Sequence, residues 1–185
     1  MDGIRAFRRE DIAQVAALWL RVFRRQAGVP CGALQDYFRE ILLEAPWRDP
    51  ALPSLVYEEG GLGIVGFLGV LPRTMLFEGR PIRVAVPTQL MADSRARNYP
   101  AVKLMRRFLD GPQDLSFSDG ANDLAEKLWC SCGGVAAGLH NLKWTRVLRP
   151  AQHLKARLAA RAGWRYAWLG EVFGPFCHAV DAAAA

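Results

Sequence analysis

The sequence has no apolar run of the length, about 18 residues or more, that crosses a bilayer. Its nearest candidate, Leu62–Leu71, is too short. The first residues, MDGIRAFRRED, are charged throughout and lack the apolar core of a signal peptide. From these two absences we expect a protein without a transmembrane segment and with a cytoplasmic location.

Histidine and cysteine are scarce, with three and four copies respectively. Cys130 and Cys132 form a C-x-C pair rather than the C-x-x-C of zinc and redox sites. On a helix, side chains two positions apart point in roughly opposite directions and cannot share one metal ion. We therefore expect reduced thiols and no metal.

Charge is unevenly distributed along the 185 residues. Residues 1–126 carry sixteen basic and sixteen acidic side chains, whereas residues 127–185 carry eight basic and two acidic ones, so the net charge of +6 lies in the tail. A basic face is either simply solvated or binds an acidic partner, and both readings stay open. The aromatic residues from Trp164 to Phe176 lack the spacing of a base-stacking surface, so we do not expect nucleic acid as a partner.

Apolar periodicity predicts an alternation of strands and helices. The fold class is therefore α/β (α+β), with a mixed, mostly antiparallel central sheet flanked by helices. Strands are predicted at Ile4–Phe7, Leu55–Tyr57, Gly63–Leu71, Ile82–Leu90, Leu115–Phe117 and Val135–Leu148, and helices over Arg9–Arg25, Cys31–Leu43, Tyr99–Leu109, Ala121–Cys132 and Ala151–Ala162.

The stretch Gln89–Leu109 is the most informative part of the chain. An apolar strand end leads through a polar turn into a helix whose apolar face is predicted to be Val102, Met105 and Leu109. No acidic residue lies between Asp93 and Asp110, although five basic ones do: Arg95, Arg97, Lys103, Arg106 and Arg107. Because the free amides and the positive end of a helix dipole attract anions, the stretch predicts an anion-binding site.

Two patterns carry a resemblance to a known family. Ala92–Val102 aligns without a gap on a phosphate loop that reads hydrophobic-x-Pro-x-x-Arg-Gly-x-Gly-x-Gly/Ala, with Arg97 on its arginine. A second pattern matches at Asn122, Ala125, Leu128, Trp129, Gly133 and Gly134. Together with the opening IRAFRREDIAQVAALW, these patterns make residues 3–148 resemble the GCN5-related N-acetyltransferase (GNAT) superfamily.

The resemblance implies an activity, a co-substrate and a set of site residues. The activity is transfer of an acyl group, acetyl in the first instance, from a coenzyme A thioester to a small-molecule or protein amine by direct attack in a ternary complex. Acetyl-CoA or another acyl-CoA is the implied co-substrate. Apart from the resemblance, Asp119, Ser118 and Cys130 are the nearest candidates in sequence for a proton donor, and Asp119 is taken as the candidate catalytic residue. The implied donor-binding residues are Leu90, Met91, Ala92, Arg97, Asn98, Tyr99, Pro100, Ala101, Val102 and Asn122.

The sequence also departs from the family pattern. Asn98, Pro100 and Val102 replace the loop glycines, and Trp129 replaces a tyrosine whose hydroxyl protonates the leaving thiolate in family members that use it. An indole N–H does not release its proton at useful pH. Two alternatives therefore stay open, namely an acyltransferase that takes its acyl group from a carrier protein, and a non-catalytic binding module with a basic C-terminal surface.

The chain is predicted to divide near Pro150. Residues 1–149 form the GNAT-like domain, and residues 150–185 form an extension with a basic helix and several aromatic residues. For this extension three roles stay open: a cap on the domain, the arm of a homodimer, or the start of a further domain.

Overall fold

The computed structural model describes residues 3–26, 28–118, 120–138, 147–162, 177, 180 and 181. The chain forms two compact units, Met1–Ala137 and Gly138–Ala185. The functional division at Pro150 stays a prediction. Among the described residues, no helix is both long and apolar enough to cross a membrane.

The first unit is built on a five-stranded sheet whose spatial order follows the chain. Neighbouring strands are antiparallel except for the last pair, which is parallel. This confirms the predicted mixed, mostly antiparallel sheet. The strands are β1 (Gly3–Ala6), β2 (Leu55–Glu59), β3 (Gly63–Phe77), β4 (Arg80–Ala92) and β5 (Leu115–Ser116).

Strands β3 and β4 are longer than the sequence predicts, and they meet in a tight hairpin. Phe77 pairs with Arg80 across Glu78 and Gly79, which both have positive φ, 51° and 77°. Positive φ at both central residues is the signature of a two-residue type I′ turn, whose twist matches that of the strands it joins. With this turn, β3 and β4 remain paired beyond Leu71, the residue at which the apolar run ends.

The helices are α1 (Ile12–Trp19), α2 (Gly32–Leu42), α3 (Pro100–Leu109), α4 (Asp123–Ser131) and, in the second unit, α5 (Pro150–Ala162). A 3-10 turn, Arg9–Asp11, leads into α1, and a π-helical turn, Leu20–Arg24, follows it. The strand predicted over Val135–Leu148 falls largely outside the described residues, as does Asp119.

The core of the first unit consists of two clusters. Phe67 and Met91 belong to the cluster that includes α1 and α2, whereas Leu68 belongs to the cluster that includes α3. Successive strand side chains point to opposite faces of a sheet, so β3 contributes to both clusters. The sheet is thereby covered by helices on its two faces.

The predicted apolar face of α3 is partly wrong. Leu104, Met105 and Phe108 are the buried apolar side chains of the helix after its first residue, whereas Val102 and Leu109 are only half-buried. The helix begins at Pro100, which is itself buried against β3, and this contact rotates the buried face toward Leu104.

The buried carboxylate of Asp11 links strand β1 to the 3-10 turn that follows it. Asp11 is 2% exposed and accepts hydrogen bonds from both terminal nitrogens of Arg5, at 2.6 and 2.7 Å, and from the Arg8 backbone N–H at 2.8 Å. Burial by itself would raise the pKa of Asp11, but these bonds outweigh it and hold the pKa below its ordinary value.

In the second unit, helix α5 begins at Pro150, and its N-terminus is capped by a residue that is distant in the sequence, Asp181. The buried Asp181 carboxylate accepts the backbone N–H of Ala151 at 2.8 Å and that of Gln152 at 3.0 Å. A carboxylate at this position satisfies free amides and complements the positive end of the helix dipole.

Candidate functional site

Strand β5 is only two residues long, and it leaves most of one edge of β4 without a partner strand. The two strands pair at Val84–Leu115 and Ala85–Ser116. From Val86 to Ala92, no described residue pairs as a strand with this side of β4. A strand edge of this kind presents unpaired N–H and C=O groups, which can bind an extended ligand.

A β-bulge interrupts the pairing of β4 with β3 within this same stretch of β4. Phe67 pairs with Met91 and Gly69 with Thr88, so Gln89 and Leu90 together lie opposite the single residue Leu68. Gln89 has a φ of 50°, in the left-handed region that few non-glycine residues adopt. Bulges are over-represented beside active sites, where they redirect the backbone and its side chains.

Three residues predicted at the donor site, Leu90, Met91 and Ala92, lie at this end of β4. Met91 is fully buried in the core, and Leu90 is half-buried against the second cluster. Ala92 pairs with Gly66 of β3. Of these three, Met91 therefore has only backbone groups to offer a ligand.

The side chain of Gln89 bridges the bulge to helix α2. Its Nε2 donates to the Tyr37 hydroxyl at 2.8 Å, and Tyr37 is 41% exposed. The pair could not be predicted, because the two residues are 52 positions apart and no local sequence pattern links them. The pair places a phenolic hydroxyl, whose own proton remains free to be donated, beside the bulge of β4.

The loop after β4 is organised around the Asp93 carboxylate, which is 7% exposed. Arg95 donates to it from its backbone N–H at 3.0 Å and from its side chain at 2.9 and 2.7 Å, and Arg21 donates from Nε at 3.0 Å. The hydrogen bonds from Arg95 are the main reason why the pKa of Asp93 lies well below its ordinary value. The turn is thus held together by hydrogen bonds to the carboxylate of Asp93, a group of the protein itself.

A second buried carboxylate reaches the loop from β2. Glu59, which is 8% exposed, accepts the backbone N–H of Arg97 through Oε2 at 3.2 Å. The Ala96 N–H donates to the Asp93 carbonyl at 3.1 Å. Three consecutive loop amides, those of residues 95–97, therefore already have acceptors within the protein.

At the beginning of α3, only a few backbone N–H groups remain available to a ligand. Tyr99, in the left-handed conformation, precedes Pro100, which has no N–H. The N–H groups of Val102 and Lys103 both donate to the Tyr99 carbonyl, at 3.1 and 3.3 Å. Within the described residues, the N–H groups of Asn98, Tyr99 and Ala101 have no acceptor, so an anion has these three available.

The surface of the loop and of α3 is strongly basic. The guanidinium of Arg97 is exposed and forms no ion pair with a described residue. Lys103 lies over the ring of Tyr57, with Nζ 3.2 Å from the hydroxyl oxygen and 5.2 Å from the ring centroid. Arg106 and Arg107 continue the same exposed face, and α3 contains no acidic residue.

The remaining predicted residues belong to α4. Asn122 is the N-cap, since its Oδ1 accepts the Ala125 N–H at 2.9 Å. Trp129 packs against Phe108, with ring centroids 6.3 Å apart, as expected of a residue that belongs to the core.

A separate open cavity of about 450 Å³ lies between the α2–β2 connection and the β3–β4 hairpin. Its charged groups are mostly engaged: Arg73 stacks on Trp47 at 4.6 Å, and Arg83 Nε lies 3.1 Å from Asp49 Oδ2. Among the described residues, no group of three or more His, Cys, Asp or Glu side chains is arranged to hold a metal ion.

Comparison with solved structures identifies the fold. An acetyltransferase of Trypanosoma brucei matches with a TM-score of 0.56 at 13% identity, over 80% of this chain and 99% of that one. Glucosamine-6-phosphate N-acetyltransferase of Arabidopsis thaliana matches with 0.56 at 13% identity, over 80% and 98%. A structure from Clostridium acetobutylicum, titled as a predicted acetyltransferase with acetyl-CoA, matches with 0.53 at 14% identity, over 80% and 96%.

No protein-family model matches the sequence, and a search of curated proteins finds no match. These three structural matches nevertheless span nearly the whole of their own chains. The chain therefore has the GNAT fold, which confirms the resemblance drawn from its sequence.

Proposed function

We propose that this protein transfers an acyl group from a pantetheine thioester, such as acetyl-CoA, to an amine. The observation that carries the proposal is the bulge at Gln89 within Val86–Ala92, the stretch of β4 whose edge away from β3 has no described partner strand. This edge offers backbone groups to an extended amide-containing arm such as pantetheine, and the bulge offers a redirected amide to a thioester carbonyl.

The reaction proceeds by direct attack within a ternary complex. The neutral amine nitrogen forms a bond to the thioester carbon, the carbon–sulfur bond breaks, the nitrogen releases one proton to solvent, and the leaving thiolate takes up one. Orientation and a polarised carbonyl supply most of the rate enhancement in such a step. Tyr37, whose hydroxyl accepts a hydrogen bond from Gln89, is our candidate to protonate the thiolate, and Asp119 is the other candidate.

The proteins of similar fold support the class of reaction. One is titled with acetyl-CoA and another acts on glucosamine 6-phosphate, a small amine. For this chain a small-molecule or protein amine is the proposed acceptor. A diphosphate on the donor would meet the amides of Asn98, Tyr99 and Ala101 together with the guanidinium of Arg97. Asn122, which caps α4, is a further proposed donor contact.

The proposal is tested by thermal-shift titration with S-acetylpantetheine and acetyl-CoA. A ligand that binds only the folded state stabilises it by about 2.7 kcal/mol at one hundred times its dissociation constant. We expect a saturable shift with S-acetylpantetheine. The absence of a shift with every pantetheine compound at millimolar concentration would favour the alternative, a non-catalytic binding module.

A further inference from the structure

At the position where the family pattern implies a bound diphosphate, the loop already contacts two carboxylates of the protein itself, those of Asp93 and Glu59. The charge of Asp93 is balanced by Arg21 and Arg95, but Glu59 forms no ion pair with a described residue. A diphosphate that approached Arg97 would therefore lie near an uncompensated, buried carboxylate. Like charges at short range in a poorly solvated site repel each other.

The hydrogen-bond donors of the loop point to the same conclusion. Arg95, Ala96 and Arg97 already donate their amides within the protein and the Val102 N–H belongs to the helix, so only the amides of Asn98, Tyr99 and Ala101 remain for a diphosphate. Pro100 has no amide to donate. The nucleotide end of coenzyme A therefore gains less from this loop than a glycine-rich loop would provide.

Positive charge lies instead on the outer surface of α3. Lys103, Arg106 and Arg107 are spaced by three and four positions, so they share one exposed face of the helix. From Pro100 to Arg107 this row extends for roughly 10 Å along the helix axis. Tyr99, which is 78% exposed, lies at its beginning. A convex row of separated charges with an exposed aromatic ring matches an acidic protein surface better than a single diphosphate.

We infer that the acyl donor of this site is an acidic carrier protein that holds the acyl group as a thioester of its phosphopantetheine arm. The carrier docks on Arg97 of the loop and on the basic face of α3 (Lys103, Arg106 and Arg107), and the arm lies along the unpaired edge of β4 between Val86 and Ala92. This inference rests on the proposed acyl transfer and specifies its donor.

Calorimetry with four ligands tests the inference without knowledge of the acceptor. The ligands are pantetheine, coenzyme A, an acyl carrier protein in its holo form and the same protein in its apo form. We expect the holo carrier to bind at least tenfold more tightly than coenzyme A. Coenzyme A should bind within about threefold of pantetheine, because the nucleotide adds little. The affinity for the holo carrier should fall as salt rises from 0.1 to 0.5 M.

Charge-reversal variants locate the docking surface. Arg106→Glu combined with Arg107→Glu should weaken holo-carrier binding at least tenfold and leave pantetheine binding unchanged. The matched control is Arg48→Glu combined with Arg80→Glu, which alters two exposed arginines away from α3 and should leave both affinities unchanged.

Three outcomes overturn the inference while the proposed acyl transfer stands. The first is coenzyme A binding tenfold or more tighter than pantetheine, and the second is pantetheine binding without any tighter binding of the holo carrier. The third is a holo carrier that binds equally well to the α3 variant and to the control. If none of the four ligands binds, the proposed acyl transfer fails together with its donor.

Discussion

Gly66 on β3 and Pro100 at the start of α3 are in direct contact. A Cβ at position 66 would lie 2.8 Å from the Cβ of Pro100 and 3.0 Å from Leu104 Cδ1. Only a residue without a side chain lets the helix begin this close to the sheet. This contact fixes the position of the candidate site relative to β3.

The first prediction follows from that contact. Gly66→Ala should lower the free energy of unfolding by about 1–3 kcal/mol, the usual cost of overpacking a core. Urea denaturation measures the change. Gly32→Ala is the matched control, because nothing lies within 4 Å of a Cβ at this first residue of α2. It should leave the stability unchanged or raise it slightly, since alanine favours the helix.

The second prediction concerns the bulge. Gln89→Val places a β-branched residue at a φ of 50° and should cost about 1–3 kcal/mol of stability. Gln89→Gly keeps the backbone conformation and should retain pantetheine binding, whereas the valine variant should lose it. Melting temperature and calorimetry provide the two measurements. Equal stability of the two variants would contradict the strain assigned to this position.

The third prediction concerns Asp93. Because its pKa in the folded protein lies below its ordinary value near 3.8, the carboxylate stabilises the fold above about pH 4, and this contribution is lost as the pH falls through the folded pKa. Asp93→Asn should therefore cost about 2 kcal/mol at pH 7, the cost of losing charged hydrogen bonds, and clearly less at pH 2.

Urea midpoints at the two pH values measure this difference. Asp110→Asn serves as the control, because Asp110 is exposed and its carboxylate makes no hydrogen bond with a described residue. Its effect should be small at both pH values. A loss of stability in Asp93→Asn that is the same at pH 7 and pH 2 would show that charge is not the cause.

The fourth prediction separates the charge of Glu59 from its hydrogen bond. Glu59→Gln retains an acceptor for the Arg97 N–H but removes the negative charge. The affinity for coenzyme A should rise about threefold or more, because the repulsion between the Glu59 carboxylate and the diphosphate is removed; a single charge interaction contributes up to about 1 kcal/mol. The affinity for pantetheine, which has no diphosphate, should not change. Unchanged or weaker binding of coenzyme A would mean that this carboxylate does not oppose the diphosphate.

The order of the elements could be predicted because each strand and helix of the first unit carries its own local signal. The turn residues Glu78 and Gly79, the break before Pro100 and the apolar runs of β2 to β4 are readable within a few positions. The buried face of α3 could not be read as reliably, because its rotation depends on Gly66, which is distant in sequence.

The candidate site, like the fold, could be predicted only in part. The basic turn and the helix start were predicted as an anion site from their composition, and the structure brings those residues together. The carboxylates that occupy the loop amides were not predicted. Asp93 lies in the loop itself, but Glu59 is 38 positions away, and only tertiary packing reveals that it accepts the Arg97 N–H.

The unpaired edge of β4 begins where its two-residue pairing with β5 ends, and residues 110–114 connect α3 to that pairing. Within this connection, Gln113 Nε2 donates to the Phe108 carbonyl at 2.7 Å and to Ser116 Oγ at 3.1 Å. The point at which the edge of β4 becomes free therefore depends on residues outside that edge. A change in the length of this connection would shift that point and alter the length of ligand that the edge can bind, while every residue of the edge stays the same.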